Sequence, residues 1–150
     1  MKISTKGRYA LRMMIDIAEN SLDDKRIPIK DIAERQGISV KYLEQIVTNL
    51  TRASLLRSVR GSSGGYYLTR KPEQYTVGEI LRAIEGKLVP VTCLEDEENM
   101  CARYDICRTI SFWEGLYKII NEYIDSTTLA DFMIEEPGQD VIALANSVDK

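Results

Sequence analysis

The joint at Gly37 constrains this chain more than any other residue. Pro28 sits just ahead of a short amphipathic stretch, Ile29 to Gln36, that stops at Gly37, and Ser39 opens a second stretch from Val40 to about Ala53. Proline before a first helical turn, glycine after a last one and serine at an N-cap are the punctuation of two consecutive helices. Helices joined by so short a Gly-containing turn form a helix-turn-helix. That arrangement buries Ile32, Ala33, Ile38, Leu43, Ile46 and Leu50 and leaves Ser39, Lys41, Tyr42 and Gln45 facing outward.

The flanking segments extend the pattern. Upstream, Ser4 or Thr5 caps a predicted first helix whose apolar residues Ala10, Leu11, Met14, Ile17 and Ala18 recur at helical spacing, ending near Asn20. Its other face carries Lys6, Arg8 and Arg12. Downstream, Leu55 to Arg60 and Tyr66 to Thr69 are short extended stretches around the loop Gly61, Ser62, Ser63, Gly64, Gly65. This reads as a β-hairpin wing. A nucleotide-binding loop is the competing idea, but no Lys-Ser or Lys-Thr pair follows the glycines and no helix opens there. The expected fold is therefore mainly α with a small β wing: a winged helix-turn-helix DNA-binding domain over residues 1–72.

The charge distribution agrees with a DNA partner. Residues 1–71 hold 14 Lys and Arg against 7 Asp and Glu, whereas residues 72–150 hold 6 against 16. A positive surface binds phosphates by counterion release, and an acidic half is repelled, so charge orients the chain on a duplex. On the exposed face of the second helix, Gln45 suits adenine, Ser39 a phosphate or base edge, and Tyr42 brings a hydroxyl and a packing face. Arg60, at the entrance of the wing loop, is placed to enter a minor groove.

The second half carries different chemistry. After Pro72, a helix from Thr76 to about Glu85 presents Val77, Ile80, Leu81 and Ile84 on one face. All three cysteines then fall within fifteen residues, with seven residues between Cys93 and Cys101 and five between Cys101 and Cys107. Clustered cysteines without a secretion signal point to metal binding or redox chemistry and not to disulfides. A polar, basic amino terminus and no run of eighteen apolar residues predict a cytoplasmic protein with no membrane partner. From Ile106 to Ile124 the residues Ile110, Trp113, Leu116, Tyr117, Ile120 and Ile124 recur at helical spacing, a long helix expected to pack across the two-fold axis of a homodimer. Residues 73–136 are thus read as connecting helix, cysteine loop and dimerisation helix, with a last short helix at Leu129 to Glu135 capped by Ser126 or Thr127. Residues 137–150, opened by Pro137 and Gly138, are read as a flexible tail.

Several passages resemble one known family: Met1-Lys-Ile-Ser-Thr-Lys-Gly-Arg-Tyr-Ala, Ile32-Ala-Glu-Arg-Gln-Gly-Ile-Ser ahead of Tyr42-Leu-Glu-Gln, Val59-Arg-Gly followed by Gly64-Gly-Tyr, and Ser126-Thr-Thr-Leu. Over residues 1 to about 134 the chain is similar to the IscR and CymR family of bacterial winged-helix repressors. The resemblance implies a homodimer that controls transcription, with Ser39, Tyr42, Gln45 and Arg60 contacting an operator. It also implies an iron-sulfur cluster held by Cys93, Cys101 and Cys107, with [2Fe-2S] favoured over [4Fe-4S].

Two departures bear on that cluster. The family spacing has five residues between the first two cysteines where this chain has seven, and Ile110 stands where the IscR pattern has a histidine; the chain has no histidine at all. The fourth ligand is left open among Asp96, Glu97, Glu98, Asp105, a donor from the other subunit and a small thiol. Zinc is an alternative occupant, since three thiolates and an oxygen also suit a tetrahedral ion, while the resemblance favours iron and sulfide. Two other readings stand beside this one. Leu94-Glu-Asp-Glu-Glu resembles the CymR branch, which implies a cluster-free regulator controlled by a protein effector or thiol oxidation. The other is an iron-sulfur or zinc carrier whose basic half is incidental. An enzyme is not expected, because no histidine, nucleophile-base pair or phosphate loop can be assembled.

Overall fold

The computed structural model describes residues 1–21, 25–96 and 101–133. Five helices and one hairpin follow in order: α1 Thr5–Asn20, α2 Ile29–Gln36, α3 Val40–Arg52, β1 Leu56–Val59, β2 Gly65–Leu68, α4 Val77–Glu85 and α5 Ile110–Ser126. Local chemistry explains the starts. Ser4 Oγ accepts from the Gly7 amide, Ser39 Oγ from the Tyr42 amide, and Thr76 with Glu79 forms a reciprocal capping box. Each cap satisfies an amide that the first helical turn leaves without a backbone partner. At the other end of α2, Gly37 adopts φ 64° and ψ 35°, a left-handed conformation that glycine reaches without steric cost.

The two strands pair antiparallel with Leu56 opposite Leu68, Arg57 opposite Tyr67 and Ser58 opposite Tyr66. Ile27 adds a third rung beside β2, its amide donating to the Tyr66 carbonyl at 2.8 Å and its carbonyl accepting from Tyr66 at 2.9 Å. Gly65 permits this approach, because a Cβ there would meet the Ile27 backbone at 2.7 Å.

One continuous core runs from Ala10, Met13, Met14 and Ile17 of α1 through Ile32, Ile38, Leu43, Ile46 and Leu50 to Leu56. The same core takes in Tyr75, Ile80 and Leu129, so residues beyond 72 pack against the helix-turn-helix. Complete burial of each large apolar side chain stabilises by roughly 1.5–3 kcal/mol. The predicted interior of the helix-turn-helix is borne out except that Ala33 is only partly buried.

Two polar features lie inside. Asp16 is 2% exposed, and its carboxylate accepts from Arg35 Nε and Nη2 and from Gln36 Nε2, fixing α1 to α2. This fork-on-fork geometry satisfies the buried charge, and the bond raises the Arg35 guanidinium above its ordinary value. Tyr75 is wholly buried; its hydroxyl donates to the Leu55 carbonyl and accepts from the Thr69 and Arg70 amides. It thereby pins the foot of the wing.

Two boundaries differ from the sequence expectation. Tyr104–Ile106 form a 3-10 turn and Cys107 is extended, so α5 opens at Ile110 and not at Ile106. The last helix is a 3-10 turn, Ala130–Phe132, because Asp131 Oδ2 turns back to the Thr128 amide and hydroxyl. Its expected end, with the tail 137–150, lies outside the described residues. The segment after α5 returns to α4, with the Val77 amide on the Thr127 carbonyl and the Leu129 amide on the Tyr75 carbonyl.

Candidate nucleic-acid interface and cysteine region

The exposed side of α3 is held by its buried side. Leu43, Ile46, Val47 and Leu50 anchor the helix in the core, which leaves Lys41 and Gln45 in solvent. Ser39 is exposed and caps α3; its Oγ accepts from the Tyr42 amide and keeps its proton available for an outside acceptor. Tyr42 departs from the expectation of a fully outward residue. It is half-buried, with its ring edge-on to Tyr9 of α1 at a centroid distance of 5.6 Å. Arg12 in turn lies over the Tyr9 ring at 5.2 Å and donates from Nε to Gln36 Oε1. Lys6 Nζ donates to Asn49 Oδ1 at 2.8 Å, so α1 also holds the last turn of α3.

Tyr9, Arg12 and Lys6 are therefore positioning residues for the reading helix. Sequence reasoning placed the two cations on an outer face and gave Tyr9 no role, since the pairing is made across elements. Arg60 stands exposed directly after β1, at the start of the loop turn. Ser39 at the N-cap and Gln45 are thus exposed on α3 with Tyr42 half-buried between them, and Arg60 is exposed at the end of β1.

The cysteines sit between α4 and α5. Cys93 lies half-buried in the 3-10 turn Thr92–Leu94, Cys101 is exposed, and Cys107 is half-buried two residues before the α5 N-cap, Thr109. The Cys107 thiol lies 3.5 Å from Thr109 Oγ1, and hydrogen bonds from that hydroxyl and from the Thr109 amide lower its pKa. Among the described residues no group of three Cys, Asp or Glu side chains stands close enough together to hold a metal ion. Of the suggested oxygen donors, Asp96 and Asp105 are exposed, and Glu97 and Glu98 lie outside the described residues. A cavity of about 390 Å³ adjoins the region, lined by Lys87, Cys93, Asp96, Tyr104, Glu114 and Tyr117. The donors themselves suit a thiolate-bound metal group, because all three cysteines are free thiols and the Cys107 thiol is made easier to ionise by its hydrogen bonds.

Helix α5 has no buried residue. The stripe expected to cross a dimer axis, Ile110, Trp113, Leu116, Tyr117, Ile120 and Ile124, is half-buried, and Ile124 packs on Val77 and Leu81 of α4. A second apolar face, Phe112, Ile119 and Tyr123, is the exposed one. Ion pairing locks α5 to α4: Arg82 meets Asp125 at 2.7 and 2.8 Å and Asn121 at 2.6 Å.

A helix-turn-helix with a hairpin wing and an outward, cation-flanked reading helix defines a winged helix-turn-helix protein. A family model described as Rrf2, iron-dependent transcriptional regulator, matches residues 3–135. The chain belongs to the Rrf2 family of transcriptional regulators; it is a DNA-binding regulator and not an enzyme. It is 42% identical over 134 residues to protein rrf2 of Nitratidesulfovibrio vulgaris, covering 89% of this chain and 87% of that protein. The structure of CymR, described as the global cysteine regulator of B. subtilis, matches at a TM-score of 0.72 with 41% identity, over 89% of this chain and 96% of that one. The T. potens IscR structure matches at 0.71 with 37% identity, over 95% and 96%. No helix among the described residues is long and apolar enough to cross a membrane.

Proposed function

We propose that this regulator is a homodimer acting as a repressor, whose operator affinity is set by an iron-sulfur cluster held by Cys93, Cys101 and Cys107. The observation that carries the reading is the position of the three cysteines. They lie on the segment that joins α4 to α5, and both helices are tied to the reading head. Glu85, the last residue of α4, accepts from the Ser4 amide at 2.9 Å and the Ser4 hydroxyl at 2.6 Å, at the very start of α1. Helix α1 holds α3 through Lys6 with Asn49 and Tyr9 with Tyr42. A contiguous set of contacts thus runs from α5 through Arg82, Glu85 and Ser4 to the reading residues.

In this reading Gln45, Ser39 and Tyr42 meet base edges and phosphates of a major groove, and Arg60 enters the adjoining minor groove. Phe112, Ile119 and Tyr123 supply the apolar face for a second copy, which sets the spacing of two half-sites. When bound, a [2Fe-2S] centre supplies a redox-active, oxidant-sensitive group joined to the thiolates. Control then requires that occupied and empty forms differ in affinity for the operator, and the regulatory range is limited by that difference.

The resemblance to IscR supports the cluster, and the family description as iron-dependent supports iron over zinc. The second reading is a cluster-free regulator controlled by thiol oxidation or a protein effector, favoured by the Leu94-Glu-Asp-Glu-Glu segment and the match to CymR. Anaerobic purification with iron, sulfide and zinc analysis, visible spectra before and after air, and operator titration of both forms distinguish the two. Iron and sulfide in equal amounts with different operator affinities support the first. Colourless protein whose cysteines titrate as thiols supports the second.

A further inference from the structure

The wing has an outer face that the reading head does not use. Strand register places Arg57 of β1 directly opposite Tyr67 of β2. The antiparallel rung between Ile27 and Tyr66 places Arg26 opposite Tyr67 from the other side. Side chains alternate along strands, so Ile27 and Leu56 point into the core while Arg26 and Arg57 point out. The result is a row across the hairpin and the bridged segment beside it, arginine, tyrosine, arginine, with Lys25 next to it. A cavity of about 240 Å³ at one end of the row is lined by Ser21, Lys25, Arg26, Tyr67 and Leu68.

These cations differ from their neighbours in how they are used. Arg35, Arg70 and Arg82 are each spent on a carboxylate of the same chain, and Arg12 on Gln36. Lys25, Arg26 and Arg57 make no ion pair with any described residue, although all three are exposed. Two arginines whose backbones stand two strand spacings apart, about 10 Å, can address two neighbouring anionic groups. The tyrosine between them offers a hydroxyl donor to the same partner.

We infer that Arg26, Arg57 and Tyr67, with Lys25, form a second phosphate-binding surface that grips the duplex backbone beside the minor groove entered by the wing. Continuity selects DNA over an acidic protein as the occupant: Arg57 lies on β1 three residues ahead of Arg60, which stands just past the strand at the loop placed in that groove. The surface reads no sequence; it adds affinity and fixes register. The inference rests on the DNA-reading role of α3 and the wing.

The test uses the full chain. Operator and unrelated duplexes are titrated with the wild type, R26S/R57S and R26K/R57K across a salt series, with circular dichroism confirming that all three are folded. Each phosphate contact contributes a slope of about 0.9 in log affinity against log salt. R26S/R57S is expected to show a shallower slope by about that amount per lost contact. Its affinity at 0.1 M salt falls by about eightfold per contact. Operator and unrelated duplex weaken by the same factor, and R26K/R57K keeps the wild-type slope. An unchanged slope in R26S/R57S, while Gln45→Ala still weakens operator binding relative to the unrelated duplex, overturns the second surface alone; in that case an acidic protein becomes the occupant to seek. A wild type without operator preference overturns the DNA-reading assignment of α3 and this inference with it.

Discussion

Helices α3 and α5 are both amphipathic and of comparable length, 13 and 17 residues, yet they stand in opposite relation to the core. Helix α3 drives Leu43, Ile46, Val47 and Leu50 into the interior and turns a polar face to solvent. Helix α5 buries nothing completely and leaves Phe112 and Ile119 more than half exposed, at 61% and 55%. A reading helix must hold its side chains in place against the pull of a ligand, which requires a rigid seat. An exposed apolar face such as that of α5 is the kind of surface a partner covers. The contrast teaches that the core seats α3 along its length, while the apolar face of α5 left in solvent follows the cysteine segment in the chain.

Substitutions sharpen that contrast, beginning with the largest cost to folding. Leu50→Ala, at a fully buried position of α3, is expected to lower the unfolding free energy by about 3 kcal/mol, read by urea denaturation. A cost below about 1 kcal/mol would show that α3 is not seated as described. Asp16→Ala removes four hydrogen bonds, made by three donor groups, from the α1–α2 joint and is expected to cost about 2 kcal/mol; Arg35, 38% exposed, regains water and limits the loss.

Smaller folding effects separate reading from support. Gln45→Ala and Arg60→Ala are expected each to weaken operator binding by about 1–3 kcal/mol. Their melting temperatures should stay with the wild type, since both residues are exposed. If either loses stability instead of affinity, its side chain belongs to the scaffold. The double variant F112S/I119S is expected to keep its helical circular dichroism while sedimentation shifts from dimer to monomer. Loss of helix in that variant would show that the exposed face of α5 supports its own protomer. Least of all, Lys118→Ala removes an exposed pair with Glu122 at 3.7 Å and should change stability by less than about 0.5 kcal/mol.

Much of the reading head was legible from near neighbours in the chain. Ser4, Ser39 and Thr76 mark helix starts because a cap needs only a side chain three residues from an amide, and Gly37 marks a stop because its backbone alone tolerates the turn. The α5 region was less legible. Ile106 fits the helical period, but the turn at Tyr104–Ile106 and the extended Cys107 break the helix before Ile110. Periodicity also drew attention to the Ile110 to Ile124 stripe, whereas the face left in solvent is Phe112, Ile119 and Tyr123. A helix apolar on two sides gives no single direction to a pattern.

What the amino-acid order determined by itself is local and compositional: the helix caps, the Gly37 joint, the hairpin, the basic and acidic halves, and the close spacing of three thiols. Tertiary structure alone decided the rest. It closed Asp16 on Arg35 across 19 residues and Tyr75 on Leu55 across 20, set Tyr9 against Tyr42, and aligned Arg26 with Tyr67 and Arg57. The reason is range. A cap or turn is selected by energies between residues a few positions apart, whereas these pairings exist only after the shared core has brought distant segments within hydrogen-bonding reach.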